Sequence, residues 1–271
     1  VLVRNLLGDR VFKTEEYTQQ YPHNWRTGRP LIYLLRPSWY FATTKIKEAM
    51  LAANAKVDWH PSHVKDGRFG DWLNNNVDWA ISRERFWGTP LPFSESGLLP
   101  PAGPHRPEAD ANGRVPEVLD CWFDSGAMPV AAFDAYRQAD FICEAVDQTR
   151  GWFYSLLAIG VALHDEAPYK TVLCLGHLLD KDGQKMSKTK GNAVDPWKLF
   201  EKYGADTVRW HFARTPVGNS LCFDEKDLRG ISVINRLLNC VNFYQTYVKG
   251  GGPHVAPATP LDLWLASARD Y

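Results

Sequence analysis

The chain has 271 residues, of which 45% are hydrophobic, so it can bury a sizeable core and general disorder is excluded. Its 31 lysines and arginines balance 31 aspartates and glutamates, and no net positive field therefore favours nonspecific contact with nucleic acids or membranes. The five cysteines include no C-x-x-C pair, which is typical of reduced thiols in the cytoplasm. Because it shows neither a secretory signal nor an apolar run of membrane-spanning length, the sequence predicts a soluble cytoplasmic protein.

The two ends of the sequence predict a piece of a longer chain. The first residue is Val1 instead of Met. The last amphipathic pattern begins near Leu261 and stops at Tyr271.

Regular elements are sparse in the first part of the sequence. In chain order we expect irregular polar residues at 1–30, an apolar run at 30–40, helical spacing at 43–53, a loop at 59–70, a short helix at 71–75 and a strand-like run at 77–82. Proline and glycine are then dense between 88 and 116 without periodicity, which indicates a surface loop or an insertion.

A strand–helix–strand unit follows. Residues 141–143 predict a short buried strand, 147–164 carry helical apolar spacing with Asp147 as the N-cap, and 171–175 predict a second buried strand. Strands joined by a helix pair in parallel, so the sequence predicts an α/β fold.

The remaining residues predict helices. Asp195 and Pro196 have the residue types of an N-cap and a first helical position, and Gly204 is a typical C-terminal stop. Further helices are expected at 205–214 and 224–249, with a domain boundary near 220.

Four polar residues lie where the two predicted strands end. Glu144 follows the first strand, Asp147 and Gln148 open the helix, and His177 follows the second strand. Open parallel sheets bind ligands beyond the carboxyl ends of their strands, so these residues are candidates for a binding crevice. Position alone favours the alternative, in which Asp147 is only a helix cap and Glu144 a solvated loop residue.

A lysine-rich loop at 182–192 precedes the helix that begins at Pro196. Lys185, Lys188 and Lys190 are close in sequence, and glycines flank them. Lysines bind phosphate as compact charges, and a glycine-hinged loop can close them over a leaving group as negative charge develops. A charge run of this kind is usually a solvated loop, but this one spells KMSK, which is a specific match.

The lysine loop belongs to a longer segment that resembles the second signature of class I aminoacyl-tRNA synthetases, GHLLDKDGQKMSKTKGNAVDPW at 176–197. Three further segments are together similar to isoleucyl-tRNA synthetases: WAISRERFWGTP at 79–90, LDCWFDSG at 119–126 and DQTRGWF at 147–153. Relatives for valine and leucine usually differ at 87–90 and 147–153. The resemblance runs from about Tyr21 to the C-terminus.

The resemblance implies a Rossmann-type catalytic domain that activates isoleucine with ATP and Mg²⁺ and transfers it to tRNA(Ile). Lys185 and Lys188 would be catalytic, because they would neutralise the phosphates and the departing pyrophosphate. The implied contacts to ATP and the adenylate are Glu144, Asp147, Gln148, His177, Lys185, Met186, Ser187 and Lys188.

The resemblance also places Trp122 and Trp152 in the walls of the isoleucine side-chain pocket. A buried tryptophan is more often part of a core, so without the resemblance we would assign both to packing. Arg83 and Arg85 would be structural or would face the acceptor end of the tRNA.

The sequence departs from the family at several points. It has no His-x-Gly-His first signature, and it lacks the cysteines that many members carry near His23, so no zinc site is expected. The implied organisation is a tail of the editing-domain insertion at 1–30, the C-terminal half of the catalytic domain at 31–220 with a loop insertion at about 89–117, and a helical connection with the start of the anticodon-binding domain at 221–271.

Such a fragment is expected to be inactive alone. The resemblance favours a monomeric full-length parent and no membrane partner, whereas the sequence itself does not determine the oligomeric state. Two alternatives stay open: a synthetase for valine or another aliphatic amino acid, and a non-catalytic fragment that only binds tRNA or nucleotide.

Overall fold

The computed structural model describes residues 2–18, 20–24, 27–94, 97–98, 113–187, 191–228, 232–247, 259–260, 263–264 and 267. Their contacts divide the chain into two units, Val1–Trp39 and Tyr40–Tyr271. Among the described residues, no helix is both long and apolar enough to cross a bilayer.

The α-helices are, in chain order, α1 (Leu2–Leu7), α2 (Lys47–Ala55), α3 (Gly70–Asn74), α4 (Cys121–Gly126), α5 (Met128–Ala131), α6 (Trp152–His164), α7 (Pro196–Tyr203), α8 (Ala205–Ala213) and α9 (Ser232–Tyr247). The helices predicted at 71–75 and 205–214 are confirmed, and the one predicted at 43–53 is a 3-10 turn, Thr43–Ile46, followed by α2. The one predicted at 224–249 is a 3-10 turn, Glu225–Leu228, followed by α9. Most of the residues after 247, including Leu261, lie outside the described part.

The strands are, in chain order, β1 (Tyr40–Phe41), β2 (Asp58–His60), β3 (Trp79–Ala80), β4 (Ser82–Arg83), β5 (Phe93–Ser94), β6 (Gly97–Leu98), β7 (Val118–Leu119), β8 (Ala139–Ala145), β9 (Tyr169–Leu175), β10 (Leu178–Leu179) and β11 (Leu221–Cys222). The run predicted at 77–82 is divided between β3 and β4, which pair with β1 and β7. Within the loop predicted at 88–116, β5 and β6 form a short hairpin.

The first unit begins with α1 and a 3-10 turn, Gly8–Arg10, so the irregular structure predicted for 1–30 is wrong at its start. The side chains of the apolar run are exposed, from 41% for Leu31 to 103% for Leu35.

A parallel sheet with the strand order β2–β9–β8 forms the centre of the second unit. Val172 of β9 pairs with Trp59 of β2 on one side and with Ile142 of β8 on the other. The α/β fold is confirmed, but the loop predicted at 59–70 is wrong, because it contains part of β2 and the helical segment Lys65–Phe69, which is kinked at Gly67. A strand of three residues is too short to show an alternating pattern, and its partner β9 is far away in sequence.

Helix α6 lies in the core. All residues from Phe153 to Val161 are buried, and the Trp59 ring packs edge-on against that of Phe153 at 5.5 Å. The Trp59 Nε1–H donates to Asn54 Oδ1 at 2.9 Å, so burial leaves this polar group satisfied. A helix that is apolar on every side is stable only when other elements surround it.

Strand β8 is less buried than its sequence predicts. Ile142 belongs to the core, whereas Phe141 is 56% exposed and Cys143 is also exposed. The prediction of a buried strand at 141–143 is therefore wrong for two of its residues. Parallel strands are apolar on both faces because helices usually cover both, and β8 is an edge strand with one face open in the described part of the chain.

The helix predicted from Asp147 begins later, at Trp152. Val146–Arg150 form a 3-10 turn, and the backbone at Gly151 is not helical. Asp147 is therefore not the N-cap, and the Trp152 N–H donates to Gln148 Oε1 instead. Apolar spacing cannot separate the two elements, because a 3-10 turn leads directly into the helix.

The predicted start of α7 is confirmed. Asp195 Oδ1 accepts the Trp197 N–H at 3.0 Å, with Pro196 at the first helical position, and Gly204 with φ of 82° ends the helix. Beyond the cap, α7 and α8 pack around a second hydrophobic cluster of Leu199, Val208, Phe223 and Leu228.

His211 on α8 is a buried polar group in this region. The side chain is 5% exposed, neither ring nitrogen has a hydrogen-bond partner among the described residues, and the rings of Phe212 and Phe223 pack against it. Burial lowers the pKa of His211, the nearby Arg214 lowers it further, and Asp227 acts in the opposite direction. The folded protein therefore favours the neutral imidazole.

We predict that the free energy of unfolding decreases as the pH falls below about 6.5, the ordinary pKa of histidine, because the unfolded chain then binds the proton more readily. His211→Leu should remove this contribution and should stabilise the chain at neutral pH by about 1–3 kcal/mol, because it removes unsatisfied polar atoms. Urea unfolding at several pH values measures both effects. His63→Leu, which removes an exposed imidazole, is the control, and equal pH profiles for the two variants would contradict the prediction.

Candidate functional site

The carboxyl ends of β8 and β9 lie side by side. In the parallel pairing Glu144 is opposite Cys174 and Ala145 is opposite Leu175. Glu144 is exposed and belongs to the end of β8 itself, whereas the sequence predicted it just after the strand. His177 follows β9 and is half-buried. The strand register thus brings Glu144 and His177 to the same edge.

The turn after β8 presents Asp147 and Gln148 at this edge. Gln148 Nε2 donates to Asp147 Oδ2 at 3.0 Å, and Gln148 Oε1 accepts the backbone N–H of Trp152, also at 3.0 Å. The first N–H groups of a helix have no partner within the helix. Gln148 therefore supplies one such partner and links Asp147 to the start of α6.

A buried threonine supports the same turn. Thr149 is fully buried, its hydroxyl donates to the Val146 carbonyl at 2.7 Å, and it accepts from Arg68 Nε at 3.0 Å. Arg68 belongs to the kinked helical segment Lys65–Phe69 that follows β2. Sequence analysis did not identify either residue, because an arginine in a basic, glycine-rich segment gives no local signal of its distant partner.

The two predicted pocket tryptophans lie beside this turn. Trp122 on α4 is 40% exposed, and its ring lies close to Gly151. A Cβ atom added to this glycine would be 3.4 Å from Trp122 Cη2. Trp152 is half-buried, and its Nε1–H donates to the Ser125 carbonyl of α4 at 3.1 Å. The structure therefore places the Trp122 ring beside Gly151 and joins Trp152 to Gln148 through its backbone N–H.

Asp120 anchors the helix that carries Trp122. Asp120 is 4% exposed and caps α4 by accepting the Trp122 N–H at Oδ1. Its Oδ2 accepts from Arg83 Nη2 at 2.7 Å and from Trp79 Nε1 at 3.1 Å. The contact between Arg83 and Asp120 supports a structural role for Arg83, one of the two roles that the resemblance implies.

Two cysteines lie at the ends of β8 and β9. Burial raises the pKa of the Cys174 thiol to about 11, with Arg68 acting against the shift and Asp147 and Cys143 adding to it. Burial and the neighbouring Glu144 carboxylate also raise the pKa of Cys143. Both thiols stay protonated at neutral pH, so neither supplies a thiolate nucleophile.

A cleft of about 210 Å³ opens beside His177. The Gly176 N–H donates to the Val217 carbonyl at 2.8 Å, and a Cβ on Gly176 would lie 2.1 Å from Asn219 O, so this close approach requires glycine. The lining is mostly apolar and includes Leu178 and Phe212 together with His177.

The lysine loop leaves β10, which pairs in parallel with β11. Lys185 is exposed and bridges to Leu179 through the backbone. Met186 packs against the second hydrophobic cluster, and Ser187 is half-buried. Lys188 lies outside the described residues.

Within the described ranges, no three His, Cys, Asp or Glu side chains are grouped as metal ligands would be. The site consists of carboxylates, an amide, an imidazole, indoles and a lysine. These groups can bind a polar ligand and stabilise charge.

A sequence profile of the family described as tRNA synthetases class I (I, L, M and V) matches residues 11–97 and 102–224. Isoleucine–tRNA ligases of Dehalococcoides mccartyi, Deinococcus radiodurans and Thermus thermophilus are 41%, 43% and 39% identical over 94%, 91% and 97% of this chain. The matches cover 30%, 28% and 30% of those ligases, so the chain spans less than a third of their length.

The fold is also similar to solved structures. Mycobacterium tuberculosis methionyl-tRNA synthetase in complex with methionyl-adenylate matches with a TM-score of 0.66 and 21% identity, over 92% of this chain and 49% of that chain. The apo form of that enzyme matches with a TM-score of 0.61 and 16% identity, over 94% and 49%. At these identities the likeness supports the fold alone. From the profile match over most of its length, the chain belongs to the class I tRNA synthetases of the isoleucine, leucine, methionine and valine group.

Proposed function

We propose that this chain is part of an isoleucine–tRNA ligase that activates isoleucine with Mg²⁺-ATP and transfers it to tRNA(Ile) in the cytoplasm. The observation that carries the proposal is that Gln148 bonds both Asp147 and the Trp152 backbone N–H at the carboxyl edge of the parallel sheet, with the Trp122 ring beside Gly151. The identity of 41% to the Dehalococcoides ligase over 94% of the chain supports isoleucine as the amino acid.

The proposed adenylate contacts follow from the positions along this edge. Glu144, Asp147 and Gln148 would accept and donate hydrogen bonds to the polar groups of the adenylate. His177 would lie near the nucleotide, and the cleft beside it has a suitable size for a base. The tryptophans would form the walls of the side-chain pocket, with the Trp152 ring fixed through Ser125.

The lysine loop would supply the electrostatic part of the reaction. Lys185, Met186, Ser187 and Lys188 form the proposed phosphate contact, and Lys185 and Lys188 would be catalytic. Charge accumulates on pyrophosphate as it departs, and a cation held at that position lowers the barrier without forming a bond. Mg²⁺ would arrive with ATP as part of the substrate.

A second candidate is a ligase for valine or another aliphatic amino acid. Its basis is that a rigid apolar pocket distinguishes isoleucine from valine only by about 1–3 kcal/mol. The third candidate is a non-catalytic fragment that binds tRNA or nucleotide. The absence of a His-x-Gly-His signature in these 271 residues favours this function for the isolated chain.

Amino-acid-dependent exchange of pyrophosphate into ATP tests the proposal. The complete protein that carries this chain should exchange pyrophosphate into ATP faster in the presence of isoleucine than with valine or leucine. It should also be a monomer that charges tRNA(Ile). The 271-residue chain alone should be inactive, because groups that act together in a transition state do not contribute independently. Exchange that depends on valine alone would favour the second candidate, and no exchange by the complete protein would favour the third.

Lys185→Ala in the complete protein should lower kcat for exchange by about 10²–10³-fold, because it removes a preorganised charge from the transition state. The KM for isoleucine should change little. Lys181→Ala removes an exposed lysine that directly precedes the loop and is the matched control. A loss confined to isoleucine affinity would contradict the assignment.

Trp152→Ala should lower isoleucine activation strongly and should narrow its margin over valine, which is about 10–200-fold for an apolar pocket of this kind. Parallel exchange assays with both amino acids measure the ratio. Trp72→Ala is the control, because Trp72 is half-buried and packs against Tyr154 in the core. An unchanged ratio in a folded Trp152 variant would assign this tryptophan to packing.

A further inference from the structure

Two side chains connect the described residues on either side of 188–190. Asn192 Nδ2 donates to Asp180 Oδ2 at 2.7 Å. We call this pair, Asp180 with Asn192, the clasp. Both side chains are half-buried, and sequence analysis assigned no role to either.

Asp180 organises the first part of the loop. Its Oδ1 accepts the backbone N–H groups of Asp182 at 3.0 Å and Gln184 at 2.7 Å. Its own N–H donates to the Gln184 carbonyl at 2.8 Å. The hydrogen bond from Asn192, followed by that from Gln184, lowers the pKa of Asp180. The carboxylate therefore stays ionised and accepts from both sides.

Asn192 organises the backbone around Met186. Its Oδ1 accepts the Ser187 N–H at 2.8 Å, and its Nδ2 also lies 3.3 Å from the Lys185 carbonyl. The backbone of Lys185 bridges in addition to Leu179. Lys185 is thus held from the strand side by Leu179 and from the helix side by Asn192.

We propose that Asp180 and Asn192 are positioning residues that hold Lys185 where the pyrophosphate departs. This inference rests on the proposed function. The Lys185 side chain is exposed, so the clasp fixes the backbone from which this side chain extends and not the ammonium group itself. A cation stabilises a transition state best when its position is fixed beforehand, and a misplacement of about 1 Å can cost about 100-fold in rate.

The chemistry of the pair allows a reciprocal exchange. Asp180→Asn keeps an oxygen that can accept the backbone N–H groups of Asp182 and Gln184. Its new NH₂ group, however, faces the NH₂ group of Asn192, so two donors oppose each other. Asn192→Asp places two carboxylates opposite each other. In the double variant, the amide at position 180 can again donate to the carboxylate at position 192, and the net charge equals that of the wild type.

Hydrogen exchange tests the clasp independently of activity. In the 271-residue chain, Asp180→Asn and Asn192→Asp should each speed exchange at the Gln184 and Ser187 amides, and the double variant should restore much of the protection. Asp182→Asn removes a charge from the same turn but keeps the backbone N–H that Asp180 accepts, so it is the matched control. Equal exchange in Asp180→Asn and Asp182→Asn would overturn the proposal. Should Asp180→Asn not fold, Asn192→Ala replaces it, because it removes the same contact without a new charge.

Pyrophosphate exchange by the complete protein tests the positioning role. Each single variant should lower kcat by about 10–100-fold with the KM for isoleucine within about twofold, and the double variant should recover part of the rate. Asp182→Asn should stay within about twofold of the wild type. A loosened loop with unchanged kcat would overturn the positioning role. A wild-type protein that shows no isoleucine-dependent exchange would refute the proposed function, and the hydrogen-exchange result would still decide whether the clasp holds the loop.

Discussion

The structure depends on the parallel pairing of β8 and β9 around the buried helix α6. Parallel strands end at the same edge, so residues that follow each strand are brought together even when they are distant in the sequence. Glu144 is opposite Cys174 in this register, and His177 follows on the neighbouring strand. Because nine consecutive residues of α6 are buried, from Phe153 to Val161, the helix and the sheet can form only together.

The core reaches the candidate site through a few polar contacts. Gln148 connects Asp147 to the first N–H of α6, and Thr149 connects the same turn to Arg68. The Trp152 indole donates to α4, so the helix that carries Trp122 is linked to the same point. These contacts hold the turn and both indoles relative to the sheet.

The lysine loop has a different kind of support. It is attached to the second hydrophobic cluster by Met186, and its described ends are joined by hydrogen bonds instead of by packing. A loop held by a few exposed hydrogen bonds opens more easily than one buried in a core. Under the proposed function, such a loop would bind charge during the reaction and then release it.

The amino-acid sequence by itself determined the α/β class, the cap of α7 at Asp195 and the residues of the lysine loop. Each of these depends on neighbouring residues, through periodicity, a cap or a short motif. The tertiary structure alone decided that Asp58–His60 form a strand beside β9, that α6 begins at Trp152, and that Phe141 is exposed on an open face. It also decided the partners of Arg68 and Asn192, because a hydrogen bond between distant residues depends on how the chain folds and leaves no pattern in the local sequence.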